Sequence, residues 1–158
     1  MDNKKIAHKL WETIGGKPKV VEYFNESNED SKIDIYIGEN RPYDGVISYG
    51  TIGLSNYDIG LELPNKKALR VEFIGACGSY YKEFANIMSS CAFNIMDEQY
   101  SCKPGIVYPD IVSQYYKESE MKHIMFVLPF LWDDLEELFE QHSIDIFDLE
   151  RKSVVNIA

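Results

Sequence analysis

The sequence predicts an α+β fold: a mixed, mostly antiparallel sheet packed with helices, in a single domain spanning residues 1–158. Three observations predict it. Ile33, Ile35 and Ile37 alternate with Asp34, Tyr36 and Gly38 ahead of a stiff turn and a second strand-like run, which is a hairpin pattern. Phe84, Ile87, Met88, Cys91, Ala92 and Ile95 recur at helical spacing, and so broad an apolar face needs a sheet to cover it. Ile124 to Leu128 is apolar without interruption, the pattern of a central strand buried on both sides.

Taken in order, Lys4 to Ile14 reads as an amphipathic helix with Ala7, Leu10, Trp11 and Ile14 on its inner face. Gly15-Gly16 supplies a C-terminal cap and Pro18 prevents continuation. Lys19 to Phe24 is a strand, and Asn25 to Ser31 is a polar loop. The Ile33–Gly38 strand turns at Pro42 and Asp44-Gly45, residues whose backbone preferences suit a reversal. Val46 to Leu54 is the return strand. Gly50 and Gly53 lie inside it, which implies another element lying close against the sheet.

Tyr57 to Leu63 alternates through Ile59 and Leu61, and Leu69 to Phe73 alternates again after a turn at 64–67, so these two runs are expected to pair. The helix at 79–96 starts with Ser79 as its cap. Ile106 to Tyr108 is a short strand. Ile111 to Tyr116 is either another strand or an irregular connection. Pro129 ends the His123–Leu128 strand, and Leu131 to Gln141 is a second clear helix, with Leu131, Leu135, Leu138 and Phe139 on its apolar side. The expected core contains Ile33, Ile35, Ile37, Val71, Phe73, Phe84, Met88, Ile124 and Phe126.

Two stretches carry a resemblance. Asn40-Arg-Pro-Tyr-Asp-Gly45 followed by Ser48-Tyr-Gly-Thr-Ile-Gly-Leu-Ser55 resembles the suppressor-of-fused domain family. Gly15-Gly16-Lys17-Pro18, Leu128-Pro129 and the ending from Asp145 to Val154 fit the same pattern, so the resemblance spans nearly the whole chain. It looks closest to the short bacterial members, which are immunity proteins (antitoxins) for polymorphic toxins, ribonucleases of the LXG type among them. The animal members carry a second domain and restrain a transcription factor. The resemblance implies a fold and a protein partner. It brings no catalytic motif.

Charge narrows the function classes. The net charge is −10, which disfavours direct binding to nucleic acid and favours encounter with a basic partner. Residues 129–158 hold a net −6 and residues 25–44 a net −4, whereas residues 1–24 are net positive. On the helix from Leu131, Asp133, Glu136, Glu137 and Glu140 share the outward arc, with no lysine or arginine between Lys122 and Arg151. These four, with Tyr43 and Asp44 at the hairpin turn, are the candidate partner-binding residues. Acidity that merely keeps the chain soluble is the competing explanation.

Little in the chain suggests catalysis. His8, His123 and His142 are scattered, without ligands at metal spacing, and no metal or other cofactor is expected. Gly45, Gly50, Gly53 and Gly60 form no phosphate-binding loop, and close packing explains them better. Tyr43, Tyr49 and Tyr57 are expected mainly as core residues. The three cysteines are odd in number and lack a Cys-x-x-Cys pair, which suits free thiols in a reducing, cytoplasmic setting. Cys77 sits where a nucleophile could, though nothing places a base beside it. No segment reads as a signal peptide or a membrane span. The favoured function is therefore non-catalytic neutralisation of a basic toxin domain by occlusion. The alternatives are a general protein-binding scaffold and an enzyme or small-ligand protein with a pocket near Cys77.

Overall fold

The structure is a computed structural model; it describes residues 2–62, 66–127, 129, 131–132 and, as backbone, 154–156. The elements in order are α1 (Asn3–Ile14), β1 (Val20–Asn25), β2 (Asn28–Glu39), β3 (Val46–Ile52), a 3-10 turn (Leu54–Asn56), β4 (Ile74–Gly78), α2 (Phe84–Met96), β5 (Val107–Tyr108), β6 (Ile124–Val127) and β7 (Val154–Asn156). They form one sheet in the order β1-β2-β3-β4-β7-β6-β5. Every pairing is antiparallel except β4 with β7. The expected mixed, mostly antiparallel sheet with packed helices is what forms.

The sheet has a helix against each face. On one side, α2 buries Phe84, Ile87, Met88, Cys91 and Ile95 against Ile33, Ile35, Phe73, Ile124 and Phe126. On the other, Ile6, Leu10 and Ile14 of α1 pack with Tyr36, Ile52, Ile74 and Ala76. All nine expected core residues are buried. The inner face of α1 differs from expectation in one detail: Ile6 is buried, whereas Trp11 is largely exposed and donates from its indole to the Gly16 carbonyl at 3.2 Å.

The interior glycines have the expected cause. A Cβ on Gly50 would lie 2.5 Å from Leu10 Cδ2, and one on Gly38 would collide with Ile14. Bare backbone at these two positions lets α1 lie flat on β2 and β3. Gly53 is different. It lies beyond β3, with φ 108° at the start of the 3-10 turn, so it serves backbone conformation. Gly45 and Gly60 also have positive φ, with open space around them, and close packing does not explain them.

Other boundaries shift for identifiable reasons. The expected loop at 25–31 contracts to a two-residue turn, because Asn25, Asn28 and Ser31 all donate to the Asp97 carboxylate at the end of α2. Among the described residues, the run from Tyr57 onward pairs with the next through an isolated bridge, Glu62 with Ala68, and not through a regular strand ladder. Leu69, Val71 and Phe73 alternate in burial as expected, yet the strand itself is the next segment, Ile74–Gly78. Helix α2 begins at Phe84, five residues after Ser79. Ser79 instead donates its N–H to Gly45 O at 2.8 Å. In β6 Met125 is largely exposed, so the strand is buried on one face only. The segment after Val112 is a series of turns. Of the expected second helix, Leu131 is exposed and Trp132 buried, and neither is helical. The remainder, with Asp133, Glu136, Glu137 and Glu140, lies outside the described residues.

Candidate partner-binding surface

The hairpin turn that holds Tyr43 and Asp44 is built by its own sequence. Asn40 adopts a positive φ of 53° and accepts the Gly45 N–H on Oδ1 at 3.1 Å. Val46 N donates to Tyr43 O at 3.2 Å. Ser48 donates its hydroxyl to Arg41 O at 2.8 Å, tying the turn to the base of β3. The Arg41 side chain lies against Gly15 and Gly16, which joins the turn to the end of α1. With its backbone fixed, the turn projects Tyr43, 64% exposed, and the exposed Asp44 into solvent.

The β3–β4 ladder brings a second turn beside the first. Val46 pairs with Gly78, so residues 79–81 start where residues 43–45 end. Tyr80 there is 91% exposed and Tyr81 45% exposed. The Tyr81 ring stands edge-on to Tyr116, with centroids 5.6 Å apart. Tyr116 is fixed by accepting the Glu83 N–H at 2.7 Å. Tyr81, Tyr116 and residues 117–121 line an open groove of about 700 Å³. One end of the sheet thus presents Tyr43, Tyr80 and Tyr81, and Tyr81 and the exposed Met121 line a groove whose charged residues are Lys117, Glu118 and Glu120. Rigid aromatics with little entropy to lose are the side chains that anchor interfaces.

The sequence singled out Tyr43 and Asp44, which are exposed, and did not single out Tyr80 and Tyr81, which the fold places beside them. The tyrosine pair at 80–81 was a visible signal; its proximity to Tyr43 depends on strand register. Of the three tyrosines expected in the core, only Tyr49 is there, packed on Phe84 at 5.0 Å, whereas Tyr43 and Tyr57 are exposed.

Cys77 Sγ lies 3.5 Å from Gly78 O and 3.9 Å from Tyr81 O, two backbone carbonyls, with no base bonded to it among the described residues. Burial pushes its thiol up to about 12, the opposite of an activated nucleophile. Cys102 is pushed up to about 11 and Cys91 higher still, again by burial, and all three thiols are free. His123 accepts the Asp110 N–H on Nδ1 at 2.8 Å, which occupies it in a turn. Among the described residues no three His, Cys, Asp or Glu side chains converge as metal ligands. Nor is any described helix long and apolar enough to cross a membrane.

One carboxylate is fully engaged, and its role is structural. Glu72 accepts from Thr51 Oγ1 at 2.7 Å, Gly53 N at 2.9 Å, Leu54 N at 3.2 Å, Ser55 N at 3.0 Å and Ser55 Oγ at 2.7 Å. Burial pushes its carboxyl above the ordinary range, and hydrogen bonds from Ser55, Thr51 and Gly53 offset part of that rise. The Ser48–Ser55 motif is therefore a structural device: Ser48 ties a turn, Tyr49 fills the core, Gly50 admits α1, and Thr51 to Ser55 cradle Glu72.

Comparison with known proteins agrees with that motif. Residues 29–138 match the family described as suppressor of fused protein (SUFU). The chain belongs to the suppressor of fused family. A curated relative, "Immunity protein YqcF" of Bacillus subtilis (strain 168), is 36% identical, with 98% of this chain and 97% of that protein covered. No solved structure matches the chain.

Proposed function

We propose that this suppressor of fused family member is an immunity protein that binds a cognate protein toxin and neutralises it by occlusion. The observation that carries this reading is the end-to-end match, at 36% identity, to a protein named for immunity. Two features of the chain support it. Exposed tyrosines gather at one end of the sheet beside a groove, which suits anchoring a protein better than turning over a small substrate. A net charge of −10 suits a basic toxin and speeds the encounter. The acidic residues Asp133, Glu136, Glu137 and Glu140 would steer that encounter, and if the toxin is a ribonuclease they would stand in for its phosphates.

The test is growth rescue. Cells expressing the candidate toxin, taken from the same gene neighbourhood, should grow when this chain is co-expressed, and the two proteins should co-purify. Growth arrest despite a soluble chain would defeat the reading. Cys77→Ala separates this function from an enzymatic one: the folded variant should rescue as well as wild type, and loss of rescue would favour a cysteine enzyme.

A further inference from the structure

Strand β1 is an edge of the sheet, and among the described residues nothing pairs with its outer side. Lys19 O accepts from Ile37 N at 2.8 Å, and the register then runs Val20↔Tyr36, Glu22↔Asp34, Phe24↔Lys32. In an antiparallel ladder successive residues bond to alternate sides. The backbone groups of Val21 and Tyr23 therefore face β2, and those of Val20, Glu22 and Phe24 face solvent. The same three residues carry exposed side chains, Val20 at 48% and Phe24 at 59%. An edge with free N–H and C=O groups and bare apolar side chains is a template for another strand.

The charge of the hairpin selects what adds there. Between residues 20 and 36, Glu22, Glu26, Glu29, Asp30 and Asp34 stand against Lys32 as the one base. Glu22 and Asp34 face each other directly across the ladder, an unfavourable like-charge pair. Lys32 reaches Glu22 at 2.9 Å but leaves the trio net negative. Burial and Glu22 together push the Asp34 carboxyl up, the signature of an undercompensated charge. A second copy of this chain would bring the same acids to the edge and double the repulsion. A strand with lysine or arginine opposite Glu22 and apolar residues opposite Val20 and Phe24 would relieve it. The edge starts near the tyrosine end, where Lys19 meets Glu39 at 3.5 Å, so a partner seated on the tyrosines has a path along it.

We propose that β1 captures a basic, extended segment of the toxin by strand addition along Val20, Glu22 and Phe24. This rests on the immunity reading. The probe is the toxin domain identified by growth rescue, inactivated by mutation and purified. Hydrogen exchange on the wild-type chain should show the Val20, Glu22 and Phe24 amides exchanging freely alone and protected in the complex. Glu22→Pro removes an outward N–H together with the exposed Glu22 carboxylate, whose ion pair with Lys32 and like-charge contact with Asp34 offset one another, so thermal midpoint should stay near wild type while toxin affinity falls at least about tenfold. Val20→Lys/Phe24→Lys should lose affinity similarly without touching the backbone. If wild type binds the toxin, yet these amides stay unprotected and both variants bind as wild type, strand addition is overturned and the immunity reading stands. If no toxin is bound or neutralised, both fall. A wild-type dimer abolished by Glu22→Pro would overturn the proposal in favour of a second copy as occupant.

Discussion

At the residue scale, Glu72 and Asp97 show how single carboxylates hold distant segments together. Glu72→Ala would leave three backbone N–H groups and two hydroxyls without their acceptor. Each such group costs about 1–3 kcal/mol when water cannot replace the partner, so we expect a total loss above about 3 kcal/mol. A urea midpoint that falls with an unchanged slope would show it. Asp97 ends α2, where a negative charge opposes the helix dipole. Burial raises its pKa, but the donors Ser31, Asn25 and Asn28 outweigh burial and lower it. A lowered carboxyl adds stability above its ordinary pKa and loses it as pH falls through the folded value. Wild type should therefore exceed Asp97→Asn in urea midpoint at pH 6, and the gap should shrink toward pH 3. Neither residue was legible in the sequence. Glu72 alternates with Val71 and Phe73 as a solvated strand residue does. Its meaning lies in donors some 20 residues away.

At the element scale, what the sequence disclosed was the pattern of faces, and what it withheld was the pairing. Ile33–Ile37 and α2 were legible because their periodicity is long, although Tyr36, between Ile35 and Ile37, is also buried, on the opposite face against α1. The alternation of Leu69, Val71 and Phe73 also marked the buried side correctly. Thr51 N bonds to Phe73 O and Phe73 N to the Thr51 hydroxyl, so a side chain interrupts the ladder there and the regular strand starts at Ile74. Periodicity cannot reveal such a substitution of side chain for backbone. Gly50 was the better clue, since it announced an element lying close against the sheet, which is α1. Gly50→Ala should cost about 1–3 kcal/mol by overpacking against Leu10. In a Leu10→Ala background the same change should cost less, with a coupling above about 0.5 kcal/mol in a double-mutant cycle. Additivity within error would mean that α1 shifts as a body and that the glycine is not the contact point.

At the scale of the whole molecule, charge and aromatic surface have different tasks in binding, and kinetics can separate them. The sequence located the charge but only part of the aromatic surface. The β3–β4 register sets Tyr80 and Tyr81 beside Tyr43, and no spacing along the chain encodes that register. Tyr80 is 91% exposed, and truncating it removes little that holds the fold, so Tyr80→Ala should change stability by under about 0.5 kcal/mol. If it anchors the toxin, the same change should cost about 2 kcal/mol of affinity, expressed mainly as faster dissociation and insensitive to salt. Reversing Asp133 and Glu136 to lysine should act the other way. If these charges steer the toxin they act at long range, so association should slow at low salt, the effect should fade as salt rises, and dissociation should barely change. Surface kinetics on both variants at two salt concentrations read the two tasks independently. An unchanged dissociation rate for Tyr80→Ala and for Tyr43→Ala would remove the tyrosine end from the interface. An unchanged association rate for the charge reversal would leave the acidic β1–β2 hairpin as the steering surface. The free edge of β1 lies along that hairpin, so steering and capture would then fall on one element.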